Sequence, residues 1–388
     1  MRASHYDVII VGAGLAGCTA ALLHARRGLR VALIEKKQAP EDYKTICTHY
    51  LQPATIPLLR RLGLHDEVID AGATFSEIVL KTPWGDVTAP RYGRAQYGLN
   101  IRRELLDPIF HRAAINEPNV DWYGGCRVSG LIHSGDRVQG VGLEYGQGET
   151  CEFRAPLVIG ADGRDSAIAK MAGVKARSYH NERFSFFQYF RNIKPPPDNE
   201  TRVWILDGGA SYVTAFPNGE LTLVSCYVPE DCFERWRDDV ESHYRAFIAR
   251  APGGPDLDNA VPASRMRGMR KAPTIRRTPS TRGLALVGDA ALALDPLVGI
   301  GCTWALESAF MLERATGPAL PNDRSSGSNT RLDRALKRYR RRHRLYFGLQ
   351  SRLLIPLSQA RPYGWILRQL LKINRRKEPT GSLDHQRS

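Results

Sequence analysis

Residues 8–35 constrain the fold more than any other part of the chain. An uncharged apolar run, Val8-Ile9-Ile10-Val11, leads into Gly12-Ala13-Gly14-Leu15-Ala16-Gly17, then into small residues with helical character, and a second apolar run ends on Glu35. A buried strand, a G-x-G-x-x-G turn, a helix and a second strand closed by an acid form the βαβ dinucleotide fingerprint. Each glycine has a mechanical purpose. Gly12 permits the tight turn, Gly14 lets backbone approach a pyrophosphate, and Gly17 lets the helix pack close to the sheet. The helix N-terminus offers unpaired N–H groups to phosphate, and Glu35 is placed to accept from a ribose hydroxyl. The uncharged stretch from Val8 to Leu23 is shorter than the roughly 20 residues a membrane span needs. It also follows Asp7 directly, so it reads as a buried strand and helix.

At 388 residues the chain exceeds the size at which one hydrophobic core stops growing, so two domains are expected. Seven cysteines, with no C-x-x-C pair and no cleavable leader read at the N-terminus, predict free thiols in a reducing cytoplasm and no metal site. The net charge of +15 is the compositional anomaly. Much of it lies in residues 331–344, where eight Lys/Arg stand against one Asp on a stretch with helical apolar spacing. Such a run reads as a solvated helix face packed on the domain, or as a docking surface for an acidic carrier protein or an anionic membrane. No nucleic-acid-binding module is present in the pattern, and nucleic acid is not an expected partner.

Beyond the opening βαβ unit, residues 101–114 read as a helix, and residues 120–123, 127–132, 138–145 and 150–154 as a meander ending on a buried strand at 157–159. Residues 184–191, 202–206, 211–216 and 221–228 form strands of one antiparallel sheet, separated by turns such as Pro217-Asn218-Gly219. Residues 231–250 are helical, 283–287 a further apolar strand, and 302–315 a long helix. The nucleotide domain is therefore expected to be discontinuous, with the antiparallel sheet inserted.

Three further constellations follow. Gly160-Ala161-Asp162-Gly163 comes directly after a strand and reads as a turn, with Ser166 capping the next helix, or as part of a ligand site. Gly288-Asp289-Ala290-Ala291 ends an apolar strand, placing a carboxylate at the ligand-binding edge of a parallel sheet. It continues to Pro296-x-x-Gly299-Ile300-Gly301 before a helix, whose N–H groups can face negative charge. Arg102-Arg103-x-x-Leu106-Asp107 opens a helix.

In this order, the four motifs resemble those of FAD-dependent monooxygenases of the para-hydroxybenzoate hydroxylase type, a superfamily related to flavin-dependent halogenases and geranylgeranyl reductases. The resemblance runs over most of residues 6–316. It implies an α/β fold: a discontinuous Rossmann-like FAD-binding domain (1–75, 98–175, 280–316), an inserted antiparallel substrate sheet (76–97, 176–279) roofing a pocket, a linker (317–330), a C-terminal helical region (331–373) and a flexible tail (374–388). It assigns the pyrophosphate cradle to Gly12, Ala13, Gly14, Leu15, Ala16 and Gly17, and the adenosine ribose to Glu35 with Lys36. Arg103, Val128, Asp162, Gly163 and Asp289 join the cofactor contacts, Arg102 being the other register for the arginine. Pro296, Gly299, Ile300 and Gly301 lie against the isoalloxazine.

The activity so implied is an NAD(P)H- and O₂-using monooxygenase that hydroxylates or epoxidises an aromatic or polyketide-like small molecule of secondary metabolism, through oxygen added at flavin C4a. A dehydrogenase or reductase of the geranylgeranyl-reductase type would use the same FAD site, and a halogenase is a further alternative. Departures from the hydroxylase pattern bear on this choice: Leu292 stands where many hydroxylases have His, Thr303 replaces an Asn, and Ser308 an Asp. The halogenase Trp-x-Trp signature is replaced by Tyr212-Val213-Thr214, and Lys81 lies in the region of a halogenase lysine. His49, Tyr50 and Tyr212 are candidate general bases by region. A basic, non-catalytic binding module on a nucleotide fold is the non-enzyme alternative.

Overall fold

The computed structural model describes residues 4–39, 41–89, 92–146, 148–196, 199–296, 299–320 and 328–374. The chain divides into one unit of residues 1–75, 92–181 and 271–359, and a second of 76–91, 182–270 and 360–388.

In the first unit, the elements that position the site are β1 (Val8–Val11), α1 (Leu15–Ala25), β2 (Val31–Glu35), α2 (Arg103–Ile115), β3 (Val120–Gly124), β4 (Leu157–Gly160), β5 (Ala176–Tyr179), β6 (Thr274–Arg277), β7 (Leu284–Leu286), α3 (Gly301–Thr316) and α4 (Ser328–Leu354). The central sheet runs β7-β4-β1-β2-β3, all parallel, with the short strand Ser280–Thr281 antiparallel at one edge. A parallel sheet is covered on both faces, which is why its strands are continuously apolar. The period-2 alternation sorts them. Val8, Ile10, Val31, Leu33, Leu157 and Ile159 join one cluster with α1, α2 and α3. Ile9, Val11, Ala32, Ile34 and Val158 join another with Val128, Val141 and Phe153 of an antiparallel meander. The layers are thus helices, parallel sheet and meander.

The segment 120–123, expected as the first strand of that meander, does not belong to it. It is β3, paired with β2 through Val31↔Val120 and Ile34↔Tyr123. The meander consists of Arg127–Ser134, Arg137–Tyr145 and Glu149–Arg154, joined by Ser4–His5 in parallel. A strand at the start of a run of strands carries no local mark of which sheet it enters. Its partner, 89 residues earlier (120 − 31), decides it.

The second unit is an eight-stranded sheet in which Arg183–Arg191, Leu221–Pro229, Ser211–Asn218 and Thr201–Leu206 are consecutive antiparallel neighbours. The hairpin of Ile78–Thr82 and Gly85–Thr88 extends it, but Ile78–Thr82 pairs with Thr201–Leu206 in parallel, so the sheet is mixed. Two helices, Phe233–Trp236 and Val240–Ile248, replace the single helix expected over 231–250. The break falls where the Asp239 carboxylate accepts from Ser242 N–H and caps the second helix.

The C-terminal region is not a separate body. α4 buries Leu332, Leu336, Tyr339 and Phe347, three to eight residues apart along one stripe, and the Tyr339 hydroxyl donates to the Leu286 carbonyl at 2.7 Å. It therefore belongs to the first unit. From residue 360 onward the chain belongs to the second: the Tyr363 hydroxyl lies 2.8 Å from that of Tyr212, and helix α5 (Trp365–Ile373) follows. Residues 182 and 270 bound the sheet insertion, so 176–181 and 271–279, expected within it, lie in the first unit. Of the expected linker, 321–327 lie outside the described residues, as does the expected tail from 375 onward.

Candidate flavin site

The turn between β1 and α1 is set by contact distances. Gly12 has φ +102°, and a Cβ there would stand 2.5 Å from the Ala161 carbonyl oxygen. At Gly17 a Cβ would meet the Gly12 oxygen at 1.8 Å. Gly14 is different. It has φ −68° and nothing of the chain within 4 Å of a Cβ, so its lack of a side chain leaves space rather than filling it. Gly163 and Gly301 are open in the same way. These three glycines with room for a Cβ follow β1, follow β4 and begin α3.

Around this space the polar groups are ordered. One Glu35 carboxylate oxygen accepts from Ala13 N–H at 2.8 Å and the other from Lys37 N–H at 3.1 Å. A carboxylate has lone pairs beyond these two bonds, so it can also accept from a hydroxyl. His111 sits 2.7 Å from the Ala13 carbonyl oxygen, which fixes the turn from α2. Asp162 accepts from the Ser166 hydroxyl at 2.6 Å and from Ile168 N–H at 3.0 Å, while Ser166 accepts from Ala169 N–H. The Asp162 side chain is therefore a helix-capping group. Gly288, at φ +57°, donates its N–H to the Ser308 hydroxyl at 2.9 Å. Thr303 meets the Thr55 hydroxyl at 2.7 Å. Of these two departures from the hydroxylase pattern, Ser308 holds the backbone of the Gly-Asp motif and Thr303 ties α3 to the Thr55 side chain. Asp289 pairs with Lys44 at 3.1 Å. Burial opposes its charge, but Lys44, Arg164 and Arg103 hold the carboxyl below its usual range.

Sequence reasoning names Arg103 but misses the two cysteines beside it. Arg103, 5% exposed, forks onto Asp107, with one nitrogen 2.9 Å from Oδ2. Another nitrogen lies 3.7 Å from Cys302 Sγ and 4.0 Å from Cys47 Sγ, and the two sulfurs are 4.0 Å apart. Burial works against the Arg103 charge, yet Cys302, Asp107 and Cys47 raise its pKa further. A sulfur-to-sulfur hydrogen bond, helped by His49, Arg103 and Lys44, pulls the Cys47 thiol well below its ordinary range against burial. The same bond, with burial, pushes Cys302 well above it. The two thiols are thus displaced in opposite directions, so a proton between them favours Cys302 over Cys47. Cys302 directly follows Gly301 at the first turn of α3, whereas Cys47 lies 255 residues away. No spacing rule connects them.

The remaining candidates have structural surroundings. His49 sits at φ +59°, its Nδ1 accepts from Arg103 N–H at 2.8 Å, and burial lowers its pKa to about 4. It is a neutral ring that anchors the start of α2 rather than a base poised near neutrality. Tyr50 is buried on the strand Tyr50–Leu51. Tyr212, in the second unit, is buried with its hydroxyl on Tyr363 and the Arg183 guanidinium 4.7 Å over its ring. Lys81 is paired with Asp86 across a hairpin. The Val128 side chain lies in the core with Val11 and Ile34, so it packs the sheet rather than lining the open space. Ala13, Leu15 and Ala16 are buried in the turn and α1, and Lys36 is exposed. Arg102 caps α2 and pairs with Glu104, leaving Arg103 as the inward register. Pro296 is half-buried and Ile300 is 5% exposed, beside Leu292, Leu294 and Trp304. Gly299 stands at φ +61° with Thr48 Oγ1 3.5 Å from where its Cβ would be.

Residues 5–342 match the FAD binding domain family. The chain belongs to that family. This FAD-dependent oxidoreductase is similar to digeranylgeranylglycerophospholipid reductase 1 of Methanococcoides burtonii, at 26% identity over 88% of the chain and 80% of the relative. It is also similar to kynurenine 3-monooxygenase of Salinispora arenicola, at 28% over 79% and 71%. Among solved structures, it shares its fold with the myxobacterial chondrochloren halogenase CndH, with a TM-score of 0.78 and 24% identity over 91% of this chain and 82% of that one. A geranylgeranyl bacteriochlorophyll reductase-like protein from Thermoplasma acidophilum gives 0.74 and 22% over 97% and 93%. The residues present fit FAD: a glycine turn at a helix N-terminus for the pyrophosphate, a carboxylate at the end of β2 for the ribose, and open space at Gly163 and Gly301. Bound FAD would supply hydride and electron transfer.

Proposed function

We propose that the enzyme is an FAD-dependent reductase that saturates isolated carbon–carbon double bonds of a polyprenyl-chain lipid, with NAD(P)H as the source of electrons. The observation that carries this reading is the Cys47–Cys302 couple held beside Arg103. Saturating one double bond consumes two electrons and two protons. Cys302, the sulfur that holds its proton more tightly, stands at the first turn of α3, next to the segment expected to lie against the flavin ring. A site that activates O₂ in the same place would expose a thiol of lowered pKa, Cys47, to oxidation to sulfenic acid, so the pair suits a reductive reaction better than oxygen insertion. The similarity to digeranylgeranylglycerophospholipid reductases, spread over most of both chains, supports the same reading. Arg103 holds negative charge on the sulfurs, Asp107 orients Arg103, and Lys44 with Asp289 keeps the neighbouring loop in place.

The deciding measurement is anaerobic. Holoenzyme reduced by NAD(P)H or dithionite is mixed with a geranylgeranyl-chain lipid in detergent, and both flavin absorbance and product mass are followed. Flavin reoxidation without O₂ and a product two hydrogens heavier per double bond are expected. No anaerobic reoxidation, together with O₂ consumption and a product one oxygen atom heavier, would overturn the reading in favour of a monooxygenase, the activity carried by the kynurenine 3-monooxygenase relative.

A further inference from the structure

The first unit carries a second concavity that the flavin site does not use. A groove of about 870 Å³ runs between α4 and the β5–β6 ribbon, and its lining includes nine cationic side chains and no carboxylate, among them Lys175, Arg177, Arg276, Arg340, Arg341 and Arg344. Like charges gathered without counter-ions repel one another, and their field reaches into the protein. His343, on the buried side of α4, is pushed down to about 3 by burial and then by Arg276 and Arg344. A patch of this kind is stable when an anionic surface meets it.

The groove is not purely electrostatic. Along α4, Lys337, Arg341, Leu345, Leu349 and Leu353 follow one another at intervals of four, so they form a single ridge. It changes from cationic to apolar halfway along. Leu345, Leu349 and Leu353 are 64%, 54% and 76% exposed, and the first two line the groove itself. The second unit independently presents the same chemistry. Helix α5 exposes Trp365, Ile366, Leu370 and Ile373, contains Arg368 and Lys372, and has no acidic residue. Among the described residues, no helix is long and apolar enough to cross a membrane.

We infer that the groove, with the leucine ridge of α4, is a docking surface for an anionic lipid bilayer, the arginines meeting phosphate headgroups and Leu345, Leu349 and Leu353 entering the acyl boundary. Large leucines exposed beside uncompensated cations are the composition of an interfacial helix, which lies on a membrane without spanning it. An acidic polypeptide would satisfy the arginines. A bilayer also accepts exposed apolar faces on two separate units without requiring a matching contour for each. The inference does not depend on the reaction performed at the flavin.

The test is sedimentation of full-length holoenzyme with phosphatidylcholine vesicles and with vesicles containing phosphatidylglycerol. Binding to the anionic vesicles alone or preferentially is expected. The triple variant Arg340→Glu/Arg341→Glu/Arg344→Glu should lower partitioning at least about 100-fold, at about fivefold for each cation removed near the surface. Leu345→Gln/Leu349→Gln should lower it about tenfold or more, with flavin content unchanged. Failure to bind anionic vesicles, or binding that survives both variants, would overturn the inference. Tight binding to polyglutamate with none to anionic vesicles would overturn it in favour of an acidic protein partner. Turnover of detergent-dispersed substrate is measured alongside, so loss of docking and failure of the reductase reading remain separate results.

Discussion

The glycine turn at residues 12–17 and the sulfur–arginine cluster at Cys47, Arg103 and Cys302 serve the same flavin site by opposite means. The turn is local. Its geometry is forced by two contacts inside a six-residue stretch and its neighbour strand, at Gly12 against Ala161 and Gly17 against Gly12. The cluster is assembled from three segments, with Cys47 and Cys302 255 residues apart and Arg103 between them. Sterics hold the first and electrostatics the second. The two should therefore fail differently when damaged.

The largest effect is expected at Gly17. A valine there puts a Cβ 1.8 Å from the Gly12 oxygen, which no rotamer relieves, so Gly17→Val should abolish both soluble yield and flavin absorbance. Gly14→Ala is the contrasting change, because its Cβ meets nothing of the chain and its φ suits any residue. The apoprotein should keep its unfolding midpoint to within about 0.5 kcal/mol, while titration with FAD shows at least tenfold weaker binding. Equal FAD affinity in Gly14→Ala and the parent would mean that the open space does not receive the pyrophosphate.

Breaking the cluster should cost less and show up as stability. Arg103 and Asp107 are both about one-twentieth exposed, and removing one partner of a buried ion pair leaves the other charge uncompensated, at roughly 3–5 kcal/mol. Arg103→Met should lose that much in denaturant unfolding of the apoprotein, and Arg103→Met/Asp107→Leu should recover a good part of it. A double variant no better than the single one would show that Asp107 is held by its bond to Lys44 N–H rather than by the arginine.

This difference also explains what a reader of the sequence can see. The parallel sheet, α1, the Gly-Asp strand and the inserted sheet are legible because strand and helix periods and glycine turns are written within 10 to 30 consecutive residues. The placement of 120–124 in the parallel sheet, the parallel entry of Ile78–Thr82 into the mixed sheet, and the thiol couple all depend on partners far along the chain. The segment at Asp162 was legible as a turn capped by Ser166 or as a ligand contact, whereas the two hydrogen bonds that make Asp162 itself a capping group were not. The basic run at 331–344 was legible as a helix by its apolar spacing. The structure divides it into a buried stripe of Leu332, Leu336 and Tyr339 and an exposed cationic face.

Acid should test the cluster next. An unfolded histidine takes its proton near pH 6.5, whereas buried His49 does not until about 4. Between these values the unfolded state binds more protons, so stability is complete above pH 6.5 and falls as pH drops toward 4, by about 1.4 kcal/mol per unit for this group. Asparagine adopts positive φ readily and has an acceptor for Arg103 N–H. His49→Asn should therefore flatten that acid limb in urea unfolding measured at pH 4.5 and 7.5. An unchanged slope would assign the acid sensitivity elsewhere, to His24 or His343, whose pKa values burial also lowers.

The smallest effect on stability, and the most specific, is expected at the sulfurs. Cys302→Ala removes a small buried group and should cost less than about 1.5 kcal/mol, with no loss of bound flavin. It also removes the hydrogen bond that contributes most to lowering the Cys47 pKa. Arg103 and Lys44 still favour the thiolate, but burial now opposes it with less to offset it, so the midpoint of Cys47 alkylation by iodoacetamide should move to higher pH. Mass spectrometry of the Cys47 peptide across pH 5–9 separates this thiol from the other cysteines. If the midpoint stays where it was, the guanidinium alone holds the thiolate, and the couple is a contact between neighbours rather than a shared proton.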